Sequence, residues 1–101
     1  MSKAEKVYQV VSWIPRGEVL TYSAVAKLSG VENPRFVGNI LHKNPDPKKI
    51  PCHRVVNSQG KVAKNFAFGR ARGQIKKLLN EGVEVQDGKV DLNKFIWTLR
   101  S

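Results

Sequence analysis

The sequence predicts a mainly α-helical single domain with small β elements, built as a winged helix-turn-helix. Three observations carry that reading. The chain has 101 residues, enough for one core and too few for a second. Two short helical patterns, one between Thr21 and Gly30 and one opening at Pro34, are joined by a tight turn, and the second carries polar and basic residues outward. Near the end, Val83-Glu84-Val85 and Lys89-Val90-Asp91-Leu92 flank the turn residues Gln86-Asp87-Gly88, which marks a hairpin.

The elements follow in order. Val7, Val10, Val11 and Ile14 recur at helical spacing, so residues 3–14 form a helix with one apolar stripe, ended by Pro15-Arg16-Gly17. Glu18-Val19-Leu20-Thr21 is a short extended piece. Thr21 or Ser23 then caps a second helix whose Val25, Ala26 and Leu28 face inward, and Gly30 closes it. Pro34 suits the first turn of the third helix, whose inward face is Phe36, Val37, Ile40 and Leu41. Arg35, Asn39 and His42 point elsewhere. Asn44-Pro45-Asp46-Pro47 is a break. Ile50 to Val56 reads as a short or edge segment, because Pro51 cannot donate to a ladder. Lys61 and Val62 are expected to pair back across the turn Asn57-Ser58-Gln59-Gly60. Residues 63–69 read as a loop. Residues 70–80 form a further helix with Ile75, Leu78 and Leu79 inward, ended by Gly82, and the tail Phe95-Ile96-Trp97 docks on the body.

Charge narrows the partners. Eighteen Lys and Arg against eight Asp and Glu give a formal charge of +10. A chain this basic attracts polyanions, nucleic acid first, with an anionic surface or an acidic protein as the alternative. No stretch approaches the apolar length of a membrane span, and Met1 to Lys6 lead straight into a helix with no secretory signal. Cys52 is the single cysteine, which rules out an internal disulfide and a multi-cysteine zinc site. A lone thiol fits a reducing compartment, so the expected location is intracellular, cytoplasmic or beside the chromosome.

Cys52 stands next to His53 and Arg54, and Glu81 ends a helix further on. Cysteine, histidine and a carboxylate that orients the histidine make an activated nucleophile. Adjacent residues on an extended segment point to opposite sides, so direct contact of His53 with the sulfur needs a turn or a bridging water. Lone cysteines also serve as small buried hydrophobes, and His53 alone could be a capping or surface residue.

Ile50-Pro51-Cys52-His53-Arg54-Val55-Val56 contains the Pro-Cys-His-Arg-Val motif of the O6-alkylguanine-DNA alkyltransferases, and the chain resembles their DNA-binding catalytic domain. Gly17-Glu18-Val19-Leu20-Thr21-Tyr22, Arg35-Phe36-Val37-Gly38, Asn44-Pro45, Ser58-x-Gly60 and Leu78-Leu79-Asn80-Glu81-Gly82 resemble further elements of that family, in order, from about residue 4 to residue 82. The resemblance implies that Cys52 takes the alkyl group in a direct displacement and is consumed. It implies that His53 acts as base through a water, with Glu81 orienting it and Asn44 bracing the site. Tyr22 contacts the flipped guanine and donates a proton, and the Val55 main chain accepts from the guanine amino group. Arg35 fills the vacated stack, and Asn39, Ser23, Lys43, Arg54 and Tyr22 join it in holding DNA.

The implied partner is double-stranded DNA containing O6-alkylguanine, with other repair proteins as further partners. No cofactor, metal or membrane is implied, and the protein is expected to be a monomer of one domain over residues 1–101 without the family's separate N-terminal domain. The family's Tyr-Ser-Gly-Gly pocket loop is replaced here by Ala63 to Arg70, in which Phe66 and Phe68 are candidates for the pocket wall or for the core. The small size and the extension from Val83 to Trp97 resemble the alkyltransferase-like proteins, which flip alkylated guanine without dealkylating it. A lesion sensor that recruits other repair factors is therefore the second reading.

Overall fold

The computed structural model describes residues 1–64 and 66–98. Helices α1 (Lys3–Ser12), α2 (Tyr22–Ser29) and α3 (Pro34–His42) pack against one another, followed by a single 3₁₀ turn (Cys52–Arg54) and helix α4 (Arg70–Asn80). Strands β1 (Leu20–Thr21) and β2 (Val55–Val56) pair in parallel, Leu20 with Val55 and Thr21 with Val56. Strands β3 (Val85–Gln86) and β4 (Lys89–Val90) form the antiparallel wing, and the short helix α5 (Leu92–Phe95) follows.

The first three helices begin at side-chain caps. Ser2 and Glu5 form a reciprocal capping box on α1. Thr21, rather than Ser23, caps α2 by accepting the Ala24 N–H at 3.1 Å, and left-handed Gly30 ends that helix. Asn33 caps α3 by accepting the Phe36 N–H at 3.1 Å, with Pro34 in the first turn. The wing turn is Asp87-Gly88 alone, both with positive φ, the conformation a two-residue hairpin needs.

The main core joins Val7, Val10, Val11 and Ile14 of the first segment to Val25, Ala26, Val37, Leu41 and Val55. Each such aliphatic side chain contributes about 1.5–3 kcal/mol when fully buried. A second cluster, Val19, Val56, Leu78, Val83 and Val90, fastens α4 and the wing to the sheet. The tail docks as expected: Val19 donates to the Phe95 carbonyl at 2.9 Å and accepts from the Trp97 N–H at 2.8 Å.

Four sequence expectations are corrected here. Phe36, Leu28 and Leu79 face solvent, at 43%, 41% and 53% exposure, because the neighbouring helices cover narrower stripes than the apolar pattern suggested. On α4, Gln74 takes the inward position beside Leu78. Cys52 to Arg54 is a 3₁₀ turn and not an extended segment. Lys61 does pair back across the turn, its carbonyl accepting from the Asn57 N–H at 3.0 Å, but it also bridges Lys89 of the wing, and Val62 leaves β2 to donate to the Gly88 carbonyl. Gly60 makes that junction: it accepts from the Val90 N–H at 2.8 Å, and any Cβ there would overlap the Val90 carbonyl.

Candidate active site and nucleic-acid interface

The 3₁₀ turn between Pro51 and β2 presents three consecutive side chains to different surroundings. Cys52 is 5% exposed and lies on the wall of a pocket shared with Tyr22, Gly38, Leu41, His42, Ala63, Phe66 and Ala67. The free volume is about 40 Å³, roughly the space of one water.

Burial pushes the Cys52 thiol above its ordinary value. The Asn44 side chain, the Cys52 and His53 backbone N–H groups and the charge of Lys77 act in the opposite direction. Asn44 is itself buried and fixed, its Nδ2 donating to the Ile50 carbonyl at 2.7 Å and its Oδ1 accepting from the Asp46 N–H at 2.9 Å.

His53 points away from solvent to Glu81, with Nε2 and Oε2 2.9 Å apart. Burial would raise the Glu81 carboxyl, but hydrogen bonds and charge from Arg54 and His53 overcome it and hold the group at about 2. An ionised carboxylate only accepts, so Nε2 carries the hydrogen and Nδ1 of the neutral ring is left as a proton acceptor. Burial also lowers the His53 pKa, which keeps the ring neutral near neutral pH.

Arg54 was expected on the DNA face, and the structure turns it inward. Its Nε donates to Glu81 Oε1 at 2.9 Å, one terminal nitrogen to Oε2 at 2.7 Å and the other to the Ile14 carbonyl at 2.7 Å. The 3₁₀ turn aims the side chain back at the end of α4, and three of the five guanidinium N–H groups are spent on Glu81 and Ile14.

Of the two loop phenylalanines, Phe66 lines the pocket. Phe68 does not, and packs edge to face against Phe66 with ring centroids 5.8 Å apart. The Val55 carbonyl already accepts from Gln74 Nε2 at 2.9 Å, which leaves one lone pair for another donor. Tyr22 opens α2 on the pocket wall, and burial raises its phenol pKa so that it stays protonated. Arg35 and Asn39 are exposed on α3, Lys43 is exposed at its C-cap, and Ser23 is exposed on the first turn of α2.

Sequence reasoning missed Gln74. It is fully buried: Oε1 accepts the Ala63 N–H at 2.8 Å, and Nε2 donates to the His53 and Val55 carbonyls at 3.0 and 2.9 Å. One amide thereby ties the reactive turn, β2 and the start of the pocket loop together. Lys77, whose charge reaches Cys52 and His53, and the pocket-lining His42 were also missed. No local motif marks any of the three. Among the described residues no cluster of three or more His, Cys, Asp or Glu is arranged to hold a metal, and no helix is long and apolar enough to cross a membrane.

Residues 2–83 match the model of the 6-O-methylguanine DNA methyltransferase DNA-binding domain. The chain is 40% identical over 95 residues to a DNA base-flipping protein of Vibrio parahaemolyticus, covering 91% of this chain and 92% of the relative. It is 53% identical over 55 residues to the methylated-DNA–protein-cysteine methyltransferase of Methanothermobacter thermautotrophicus, covering 54% of this chain and 31% of that protein. Among solved structures, S. pombe Atl1 in complex with damaged DNA containing O6-carboxymethylguanine superimposes with a TM-score of 0.86 at 31% identity, covering 96% of this chain and 95% of that one.

Proposed function

The chain belongs to the 6-O-methylguanine DNA methyltransferase family, which acts on O6-alkylguanine in DNA by alkyl transfer or base flipping, and we propose that it transfers the alkyl group to Cys52. The observation that carries this reading is the pairing of a pocket-wall thiol with a neutral histidine whose Nε2–H is fixed on an ionised carboxylate.

The target carbon lies inside the duplex, so the nucleotide is extruded first, at a cost of a few kcal/mol. Arg35 fills the vacancy from the exposed face of α3, and surface lysines take phosphates without reading sequence. In the pocket, the sulfur bonds to the alkyl carbon as the carbon–O6 bond breaks, and that bond's electron pair goes to the guanine oxygen. The thiol proton passes through a water to His53 Nδ1. Tyr22 protonates the leaving guanine and regains its proton from His53 through solvent, so the thiol proton ends on guanine. Asn44 and the two backbone N–H groups stabilise the charge that develops on sulfur. The thioether is stable, so one molecule acts once.

A second reading draws on the base-flipping relative and on the buried, proton-holding thiol of the free protein: a sensor that flips the lesion without dealkylating it. Incubation with a duplex containing O6-methylguanine separates them. Transfer gives a mass gain of one methyl, mapped to Cys52. Cys52→Ala abolishes the gain and keeps lesion binding. Protein that binds the lesion and never gains mass is the sensor.

A further inference from the structure

Phe36 is used neither by the core nor by the proposed chemistry. Val37 and Leu41 supply the buried face of α3, while Phe36 stands 43% exposed in its first turn, directly after Arg35. Its ring lines a shallow groove of about 340 Å³ between α1 and α3, together with Ala4, Tyr8, Asn39, Ile40 and Lys43. The Lys3 ammonium lies 5.1 Å from the ring centroid, and Lys43 closes the groove one turn past Asn39. Among the described residues neither lysine has a carboxylate partner.

An apolar floor edged by two unpaired cations complements a nucleic-acid strand, where apolar sugar and base edges alternate with phosphates. Proteins that deform DNA from the minor groove insert phenylalanine and similar wedges beside the base steps they open. Phe36 follows the arginine that fills the vacated stack, on the same exposed turn.

We infer that Phe36 is a second DNA-deforming side chain, which wedges its ring against the base step next to the extruded nucleotide while Lys3 and Lys43 hold the flanking phosphates. This extends the DNA footprint from α3 onto the start of α1, and it rests on the proposed function in taking α3 as the helix that enters DNA.

The test compares the wild type, Phe36→Ala and Phe36→Leu on two duplexes, one with O6-methylguanine and one undamaged, each carrying end-labelled dyes that report bending. Phe36→Ala is expected to raise Kd for the lesion duplex about tenfold and to remove most of the bend, the loss expected for one largely buried aromatic. Phe36→Leu, still apolar, keeps most of both. The melting temperature of Phe36→Ala stays within about 3 °C of wild type, as for an exposed position. Wild-type affinity and bending in Phe36→Ala overturn the inference. So does a self-associated wild type that Phe36→Ala dissociates with DNA binding unchanged. Wild-type protein that bends both duplexes equally sinks the alkylguanine reading and leaves the wedge standing, provided Phe36→Ala loses that bend.

Discussion

Replacing Arg54 with alanine tests the arrangement on which the reactive site depends. The side chain makes three hydrogen bonds, two to Glu81 and one to the Ile14 carbonyl. Arg54 and Glu81 side chains are 16% and 7% exposed. Arg54→Ala leaves a buried carboxylate with only His53 for a partner and the Ile14 carbonyl without its donor. Removing one member of a buried ion pair costs about 3–5 kcal/mol. His53 offsets part of this by taking up a proton, so the lower end, about 3 kcal/mol, is expected. For a domain of this size each kcal/mol shifts the melting temperature by about 4–8 °C, so the midpoint falls by about 12–24 °C. Circular dichroism melts measure it. Arg54→Lys recovers only part, because an ammonium cannot span both carboxylate oxygens. Below the melt, the salt dependence of DNA affinity is unchanged, whereas loss of a phosphate contact reduces its slope by about one. A midpoint loss under about 4 °C, or a slope reduced by about one, refutes the inward assignment of Arg54.

Two further outcomes follow from the same geometry. Gln74→Leu strips the partners from the Ala63 N–H and from one lone pair each of the His53 and Val55 carbonyls, a loss of about 2–4 kcal/mol in urea unfolding; methyl transfer measured on the folded fraction slows as well, because the reactive turn and the pocket loop lose their common anchor. Stability also declines in acid in two stages, read from urea midpoints across pH. The folded state holds His53 below its ordinary 6.5, so the unfolded chain binds more protons and stability falls as pH drops below that value. Glu81, held at about 2 against an ordinary 4.5, adds a second loss between those values. His53→Gln removes the first stage and keeps the second, and a first stage that persists in this variant contradicts the assignment.

The parts of the fold written in local chemistry were legible. Apolar spacing placed α1, the pair Thr21 and Gly30 bracketed α2, Pro34 opened α3, and Asp87-Gly88 marked the wing. Ser2 and Glu5 carried the α1 capping signal too, one helical turn apart. What was not legible depends on the partner surface. Helical periodicity gives the direction of an apolar face but not its width, so Phe36, Leu28 and Leu79 looked interior. Gln74 carried no signal in the sequence because a buried amide is stable only when its partners arrive from elsewhere, here the carbonyls of His53 and Val55 and the N–H of Ala63. The motif brought Cys52, His53, Asn44, Tyr22 and Glu81 to one region, but the direction of Arg54 turned on whether residues 52–54 are extended or coiled. Pro51 signalled only that a regular ladder was excluded.

The surroundings of the sulfur bear on the choice between transfer and sensing. A cysteine kept only for packing needs no donors, since a thiol is content among aliphatic side chains. Around Cys52 the Asn44 amide, backbone N–H groups and the charge of Lys77 act in favour of the anion, but burial outweighs them, and the Cys52 N–H is already given to the Ile50 carbonyl at 2.7 Å. Asn44 is held by two hydrogen bonds, one to the Ile50 carbonyl and one from the Asp46 N–H. At 5% exposure on a pocket with about 40 Å³ of free space, the sulfur is shielded in the free protein, with Phe66 on one wall. Iodoacetamide labelling of Cys52 tests this shielding directly. It is slow in the free protein and faster in Phe66→Ala, which removes a wall of the pocket, while equal rates in the two proteins contradict the shielding and leave the thiol as ordinary packing.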